Sequence, residues 1–171
     1  EAERVRAWYD GYHFGEFDMY CPWDVLNYVY DLQEHEEISQ PVSYWRNTSD
    51  NAVIRSFLDH KQNLITAKLE ILLGGGYIIQ KIDENLTYDF DRCSDENFWS
   101  VLYLTGYLTR CREKDLRPED RNRIRDGFTA LMIPNEEIQE IYRDTIVKWF
   151  MESAPSWKPE NLGEAIWRGD V

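Results

Sequence analysis

The sequence predicts a mainly α fold carrying a small β wing, and three observations lead there. Apolar residues recur at three- and four-residue spacing through most of the chain. Only a few apolar runs are short enough for strands, and glycine or proline stands between the periodic stretches. Glu1 to Tyr9 reads as a helix in progress, without an N-cap or signal peptide. Gly11 and Gly15, flanked by aromatics, predict a hairpin or tight loop between His13 and Cys21. Pro22 suits a first helical turn, and Val25, Leu26, Val29 and Leu32 then share one face, with Tyr28 and Tyr30 beside it. Tyr44 to Asp50 is a polar loop in which Ser49 or Asp50 caps a helix buried through Val53, Ile54, Phe57 and Leu58. A further helix has Ile65, Leu69, Leu72 and Leu73 as its stripe and Gly74-Gly75-Gly76 as its stop.

Tyr77–Ile82 and Leu86–Phe90 are strand-length, and Ser94 or Asp95 caps a helix packed through Phe98, Val101, Leu102, Thr105 and Leu108. Gly106–Thr109, the charged stretch Arg110–Asp126 and Phe128–Ile133 read as strand, long loop, strand. A helix followed by a two-stranded wing has the pattern of a winged helix. Asn135 caps the clearest helix, with Glu136 and Glu137 favoured by the dipole of its first turn. Its stripe runs through Ile138, Ile141, Tyr142, Thr145, Ile146, Trp149 and Phe150. Pro155 and Pro159 bracket a linker. The boundaries expected are 1–76, 77–154 and a 155–171 linker that begins another helix. Both ends read as cut from a longer protein.

The 171 residues are enough for one ordinary domain or two small ones, and 43% hydrophobic content supports a folded core. Lys and Arg total 19 against 32 Asp and Glu, a net charge of −13 that repels phosphate backbones and anionic headgroups. The nearly apolar run from Ile71 to Ile79 falls far short of the roughly 20 residues a membrane span needs. Cys21, Cys93 and Cys111, an odd number without metal-ligand spacing, point to reduced thiols and a cytoplasmic location.

Chemical motifs are sparse. Gly74-Gly75-Gly76 lacks the Lys-Ser/Thr that completes a phosphate loop. Asp89, Asp91 and Asp95 alternate as in a calcium loop, but Ser94 and Ser100 stand where glycine and glutamate are needed. His13, His35 and His60 have no ligand-type partner at helical spacing. Neither a catalytic residue nor a metal ligand is expected. The one locally basic stretch holds Arg110, Arg112, Lys114, Arg117, Arg121, Arg123 and Arg125 against five acids. It reads as a solvated, salt-bridged hairpin, or as a wing touching nucleic acid or an acidic partner through Arg110, Arg112, Lys114, Arg121, Arg123 and Arg125.

Five ordered motifs carry a resemblance: Trp8-Tyr-Asp-Gly-Tyr-His-Phe14, Tyr20-Cys-Pro-Trp-Asp-Val-Leu26, Tyr44-Trp-Arg-Asn-Thr-Ser-Asp-Asn51, Gly106-Tyr-Leu-Thr109 and Ile133-Pro-Asn-Glu136. With these the chain resembles the C-terminal part of the predicted AAA-ATPase-like proteins of bacteria. There this region commonly lies between a P-loop core and a nuclease-type domain of the PD-(D/E)XK class. The family's usual asparagine before the proline is Cys21 here.

The resemblance implies a helical lid over 1–76 and a winged-helix-like segment over 77–154, the non-catalytic regulatory part of a nucleotide-dependent switch. ATP and Mg are expected for the full-length protein and no cofactor for this piece. The implied partners are an N-terminal ATPase core and a C-terminal domain of the same chain. A glycine-proline element that lies against nucleotide in related lids corresponds to Gly11 and Pro22, framed by Trp8, Tyr9 and Tyr12. Arg46 and Arg55 are the implied phosphate sensors. This reading expects a concave surface beside Gly11 with apolar area left exposed. The alternative is a winged-helix module binding nucleic acid or protein.

Overall fold

The computed structural model describes residues 1–15, 17–35, 40–45, 62–84 and 95–153, with backbone alone for 62–66, 95–96 and 147–153. The expected helix through Val53–Leu58, the strand Leu86–Phe90, and Arg46 and Arg55 lie outside the described residues. In chain order the elements are α1 (Ala2–Tyr9), β1 (Tyr12–Phe14), β2 (Phe17–Met19), α2 (Pro22–Glu34), α3 (Gln62–Leu73), β3 (Ile78–Gln80) and α4 (Asp95–Leu104). Then follow β4 (Thr109–Arg110), a 3-10 turn (Glu113–Asp115), α5 (Arg121–Arg125), β5 (Thr129–Met132) and α6 (Glu136–Ser153).

The fold is therefore mixed α/β with small sheets, which corrects the mainly α expectation. The physical reason is β5, whose Ala130 and Leu131 are buried and whose two edges are both paired. Its partners are antiparallel: β3 through Ile78 opposite Leu131, and β4 through Thr109 opposite Met132. Strand, loop and strand fall where the wing was expected, but β3 closes a third strand onto them. The loop is also structured. Leu116 is buried, and the Tyr77 hydroxyl donates to Asp120 at 2.7 Å while accepting from the Arg117 backbone N–H at 3.0 Å. Such local packing turns a polar connection into the 3-10 turn and α5.

One core joins α3, α4, the sheet and α6. Leu69 and Leu72, Ile78, Phe98, Trp99 and Leu102, Leu131 and Ile133, and Ile138, Ile141, Tyr142 and Ile146 form a continuous buried cluster. The stripe expected for α6 is thus buried from Ile138 to Ile146. Gly75 takes φ +79° after α3, where its N–H and that of Gly76 reach the Leu72 and Ile71 carbonyls and end the helix. At the start of α6 the Asn135 side chain accepts from the Ile138 N–H at 3.0 Å. Asn135→Ala removes that cap, and a loss of about 1 kcal/mol in thermal or urea unfolding is expected.

Contacts cross the expected boundary at 76/77. α1 packs on α6, and β1 lies beside β4. The His13 N–H donates to Thr109 Oγ1 at 3.1 Å, and the Tyr12 hydroxyl donates to the Gly106 carbonyl at 3.1 Å.

The largest correction concerns α2. Leu26 and Val29, expected in its buried face, are exposed, whereas Asp24 and Tyr28 are buried. Polar tips explain this. The Tyr28 hydroxyl donates to Glu1 and the Tyr44 hydroxyl to Asp31, while the Tyr28 and Tyr44 rings both pack on Tyr9. Aromatic bodies with satisfied hydroxyls, brought together from α1, α2 and the segment before Trp45, outcompete the aliphatic stripe for the inside.

Candidate functional site

The described residues of the five motif segments, Tyr44 and Trp45 alone from the third, meet in space. Cys21 N–H donates to the Tyr9 carbonyl at 2.9 Å, closing the hairpin back onto α1. Tyr9, fully buried, donates its hydroxyl to the Val42 carbonyl. Trp45 stacks on Tyr107 with centroids 5.2 Å apart, and its ring lies over Gly106, where an added Cβ would stand 2.9 Å from it. Gly11, at φ +108°, touches the Pro134 backbone: a Cβ there would fall 1.9 Å from the Pro134 oxygen.

At the centre are two buried carboxyl groups. Asp24 stands in the first turn of α2 and Glu137 in that of α6, both with no solvent exposure. Glu137 Oε1 accepts from the Trp45 N–H at 2.9 Å, and its carboxyl also meets Ser43 and Asp24. Around Asp24 stand that carboxyl and the Cys21 thiol, and among the described residues neither oxygen has a hydrogen-bond donor. Two carboxylates cannot both stay ionised in such a place. Burial first, then the neighbouring Asp24, raises Glu137 from its ordinary 4.5 to about 8. Glu137 thus holds its proton more tightly than an exposed glutamate, with its carboxyl set beside Asp24 where α2 meets α6. Burial also pushes the Cys21 thiol up to about 11, so it is no ready nucleophile.

A cleft of about 580 Å³ opens above this pair. Its walls are mainly aromatic, from Tyr12, Phe14, Tyr20, Trp23 and Trp45, with Met19, Cys21, Pro22 and Asp24 completing it. Of the nucleotide-contact residues expected from sequence, Tyr12 and Pro22 line the cleft. Tyr9 lies buried beneath it, Trp8 is half-buried edge-on to Tyr9, and Gly11 is spent on the approach to Pro134. Trp23, Asp24 and Trp45 stood only within the motif segments and Glu137 only as a first-turn acid, and none was among the expected nucleotide contacts. The available signal was the spacing of Asp24, Tyr28 and Asp31, which puts them on one helical face.

The basic stretch forms a second, polar cleft of about 450 Å³, where Arg110, Arg112 and Lys114 gather beside His13. Arg110 pairs with Glu84 at 2.8 Å and lies over the Tyr103 ring, and Arg112 pairs with Asp18. Burial and the Arg112 charge lower the His13 pKa. Arg123 lies over Phe128, Arg125 is exposed, and Arg121 is half-buried. Among the described residues no cluster of His, Cys, Asp and Glu could hold a metal ion, and no helix is long and apolar enough to cross a membrane.

Comparison of the chain with protein-family models, with curated proteins and with solved structures finds no match.

Proposed function

We propose that this chain is the lid and regulatory part of a P-loop ATPase, coupling nucleotide state to a downstream domain and doing no chemistry by itself. The observation that carries this reading is the convergence of the described residues of the five motif segments on one centre, with an open aromatic cleft beside Pro22. Residues scattered from Trp8 to Glu136 in the sequence are held together by hydrogen bonds and ring stacking, as a rigid reporter of one orientation requires. In this reading α4 and the β3-β5-β4 sheet are the winged-helix-like half, and ATP with Mg would be held mainly by the core. The cleft offers flat walls to a base or to the core that holds it. Its floor is sealed, since both Asp24 oxygens and Glu137 Oε2 are buried, so a catalytic role for that pair is not proposed.

A lid signals only if nucleotide binds its two orientations with different affinity. The chain alone is expected to turn over no ATP above a blank. In the full-length protein, Trp23→Ala and Arg46→Ala are each expected to shift nucleotide affinity or turnover about tenfold with folding retained. Unchanged values for both would refute the coupling. The nucleic-acid alternative has less support, because Arg110 and Arg112 already face Glu84 and Asp18.

A further inference from the structure

The cleft beside Pro22 gathers rings whose faces are not used in packing. Among the described residues, none of Tyr12, Phe14, Tyr20 and Trp23 stacks on another ring, although all four line the cleft. The described cation–ring contacts lie elsewhere, on Trp99, Tyr103, Tyr77 and Phe128. Trp45 adds a fifth ring, anchored by its stack on Tyr107, and Tyr12 is fixed by the bond from its hydroxyl to the Gly106 carbonyl. Phe14 and Trp23, 62% and 58% exposed, keep the walls within reach of solvent. An aromatic face carries the negative part of the ring quadrupole, so several faces around one space attract a cation.

Beneath the rings lies Asp24, which forms part of the cleft floor. It is fully buried, and neither of its oxygens has a hydrogen-bond donor among the described residues. A buried acid without a described counter-charge is costly until a cation approaches, and across an apolar cleft the attraction is little screened. The net charge of −13 acts in the same direction. The covered oxygens decide which cation fits. A primary ammonium or a guanidinium brings N–H donors that aromatic walls do not satisfy, and burying such donors unmatched costs free energy. A fully alkylated ammonium spreads its charge over methyl groups and needs no acceptor, which suits ring faces above a sealed acid. The volume of about 580 Å³ is that of a small-molecule site.

We infer that the cleft walled by Tyr12, Phe14, Tyr20, Trp23 and Trp45 binds a small soluble quaternary ammonium compound, its methyl groups against the rings and its charge above Asp24. This goes beyond the lid reading and does not depend on it. The test titrates the 171-residue chain with choline and follows the backbone amides from Tyr12 to Asp24 by NMR. Two comparison solutes separate the contributions. The neutral isostere of choline, with carbon in place of nitrogen, keeps the shape without the charge, and ethanolamine keeps the charge without the methyl groups. Choline is expected to bind at least about tenfold more tightly than either. Trp23→Leu and Phe14→Leu, apolar replacements at exposed positions, are each expected to weaken choline about tenfold and the neutral isostere by less than about twofold, with the circular dichroism spectrum unchanged. Asp24→Asn is expected to weaken choline and leave the isostere unaffected.

Equal binding of the neutral isostere would overturn the inference, since the cleft would then be a plain apolar pocket. Equal binding of ethanolamine would overturn it as mere attraction to the net charge. So would absence of choline binding up to about 10 mM, or tighter binding of adenosine at the same amides. Sedimentation with phosphatidylcholine vesicles is expected to leave the chain in solution, and recruitment to them would assign the same chemistry to a lipid headgroup and overturn the soluble ligand. The nucleotide measurements on the full-length protein are separate. Failed choline binding with intact nucleotide coupling removes this site alone, and the converse removes the lid reading alone.

Discussion

Gly11→Ala is expected to cost at least about 3 kcal/mol and to leave much of the chain unfolded at 37 °C. Two terms add. The residue sits at φ +108°, where a side chain is strained, and its Cβ would lie 1.9 Å from the Pro134 oxygen and 2.8 Å from the Pro134 carbon. The obstructing atoms are backbone, at the junction of β5 and α6, so relief requires separating the hairpin from the core. Gly15→Ala is the internal control. Gly15 also has positive φ, at +61°, but nothing lies within 4 Å of its missing Cβ, and about 1 kcal/mol is expected there. Urea unfolding of both variants checks the difference. Equal losses would mean that the approach to Pro134 does not hold the hairpin in place.

A second large effect concerns pH. Glu137 is raised from 4.5 to about 8, first by burial and then by Asp24. The native state therefore holds a proton that the unfolded chain releases near 4.5, and stability from this group falls as pH rises between the two values. It is fully present below about pH 4.5 and exhausted above about pH 8. If the whole shift is realised, the loss is on the order of 5 kcal/mol. Glu137→Gln keeps a donor for Asp24 and an acceptor for the Trp45 N–H, yet cannot ionise. The variant is expected to match the wild type at pH 5 and to exceed it at pH 8 by a few kcal/mol. A difference independent of pH across that range would show that Glu137 is not held protonated in the native state.

Legibility differed by element. The apolar stripes of α3, α4 and α6 were readable because burial of large apolar side chains dominates their energetics, although on α4 Trp99 is buried beside the expected Phe98 and Leu102. The stop at Gly75 and the cap at Asn135 were readable because their chemistry is local. On α2 the same logic failed, since Leu26 and Val29 stay exposed while Asp24 and Tyr28 go inside. Nothing local tells an aliphatic stripe that stays exposed from one that fills a core. The strand at Ile78–Gln80 was readable from the sequence, but its addition to the sheet was not, because pairing of Ile78 with Leu131 is a long-range choice. The candidate site followed the same division. Its position beside Gly11 and Pro22 followed from the resemblance, but the Asp24–Glu137 pair forms across more than a hundred residues of sequence and no spacing announces it.

The most direct test of the lid reading is hydrogen exchange of the full-length protein, with and without a non-hydrolysable ATP analogue and Mg. Amides of Tyr12 to Tyr30, around the cleft and along α2, are predicted to gain protection on nucleotide binding, while those of the buried α6 segment Ile138–Ile146 stay unchanged. Identical exchange of Tyr12–Tyr30 in the two states, at saturating nucleotide, would contradict the account.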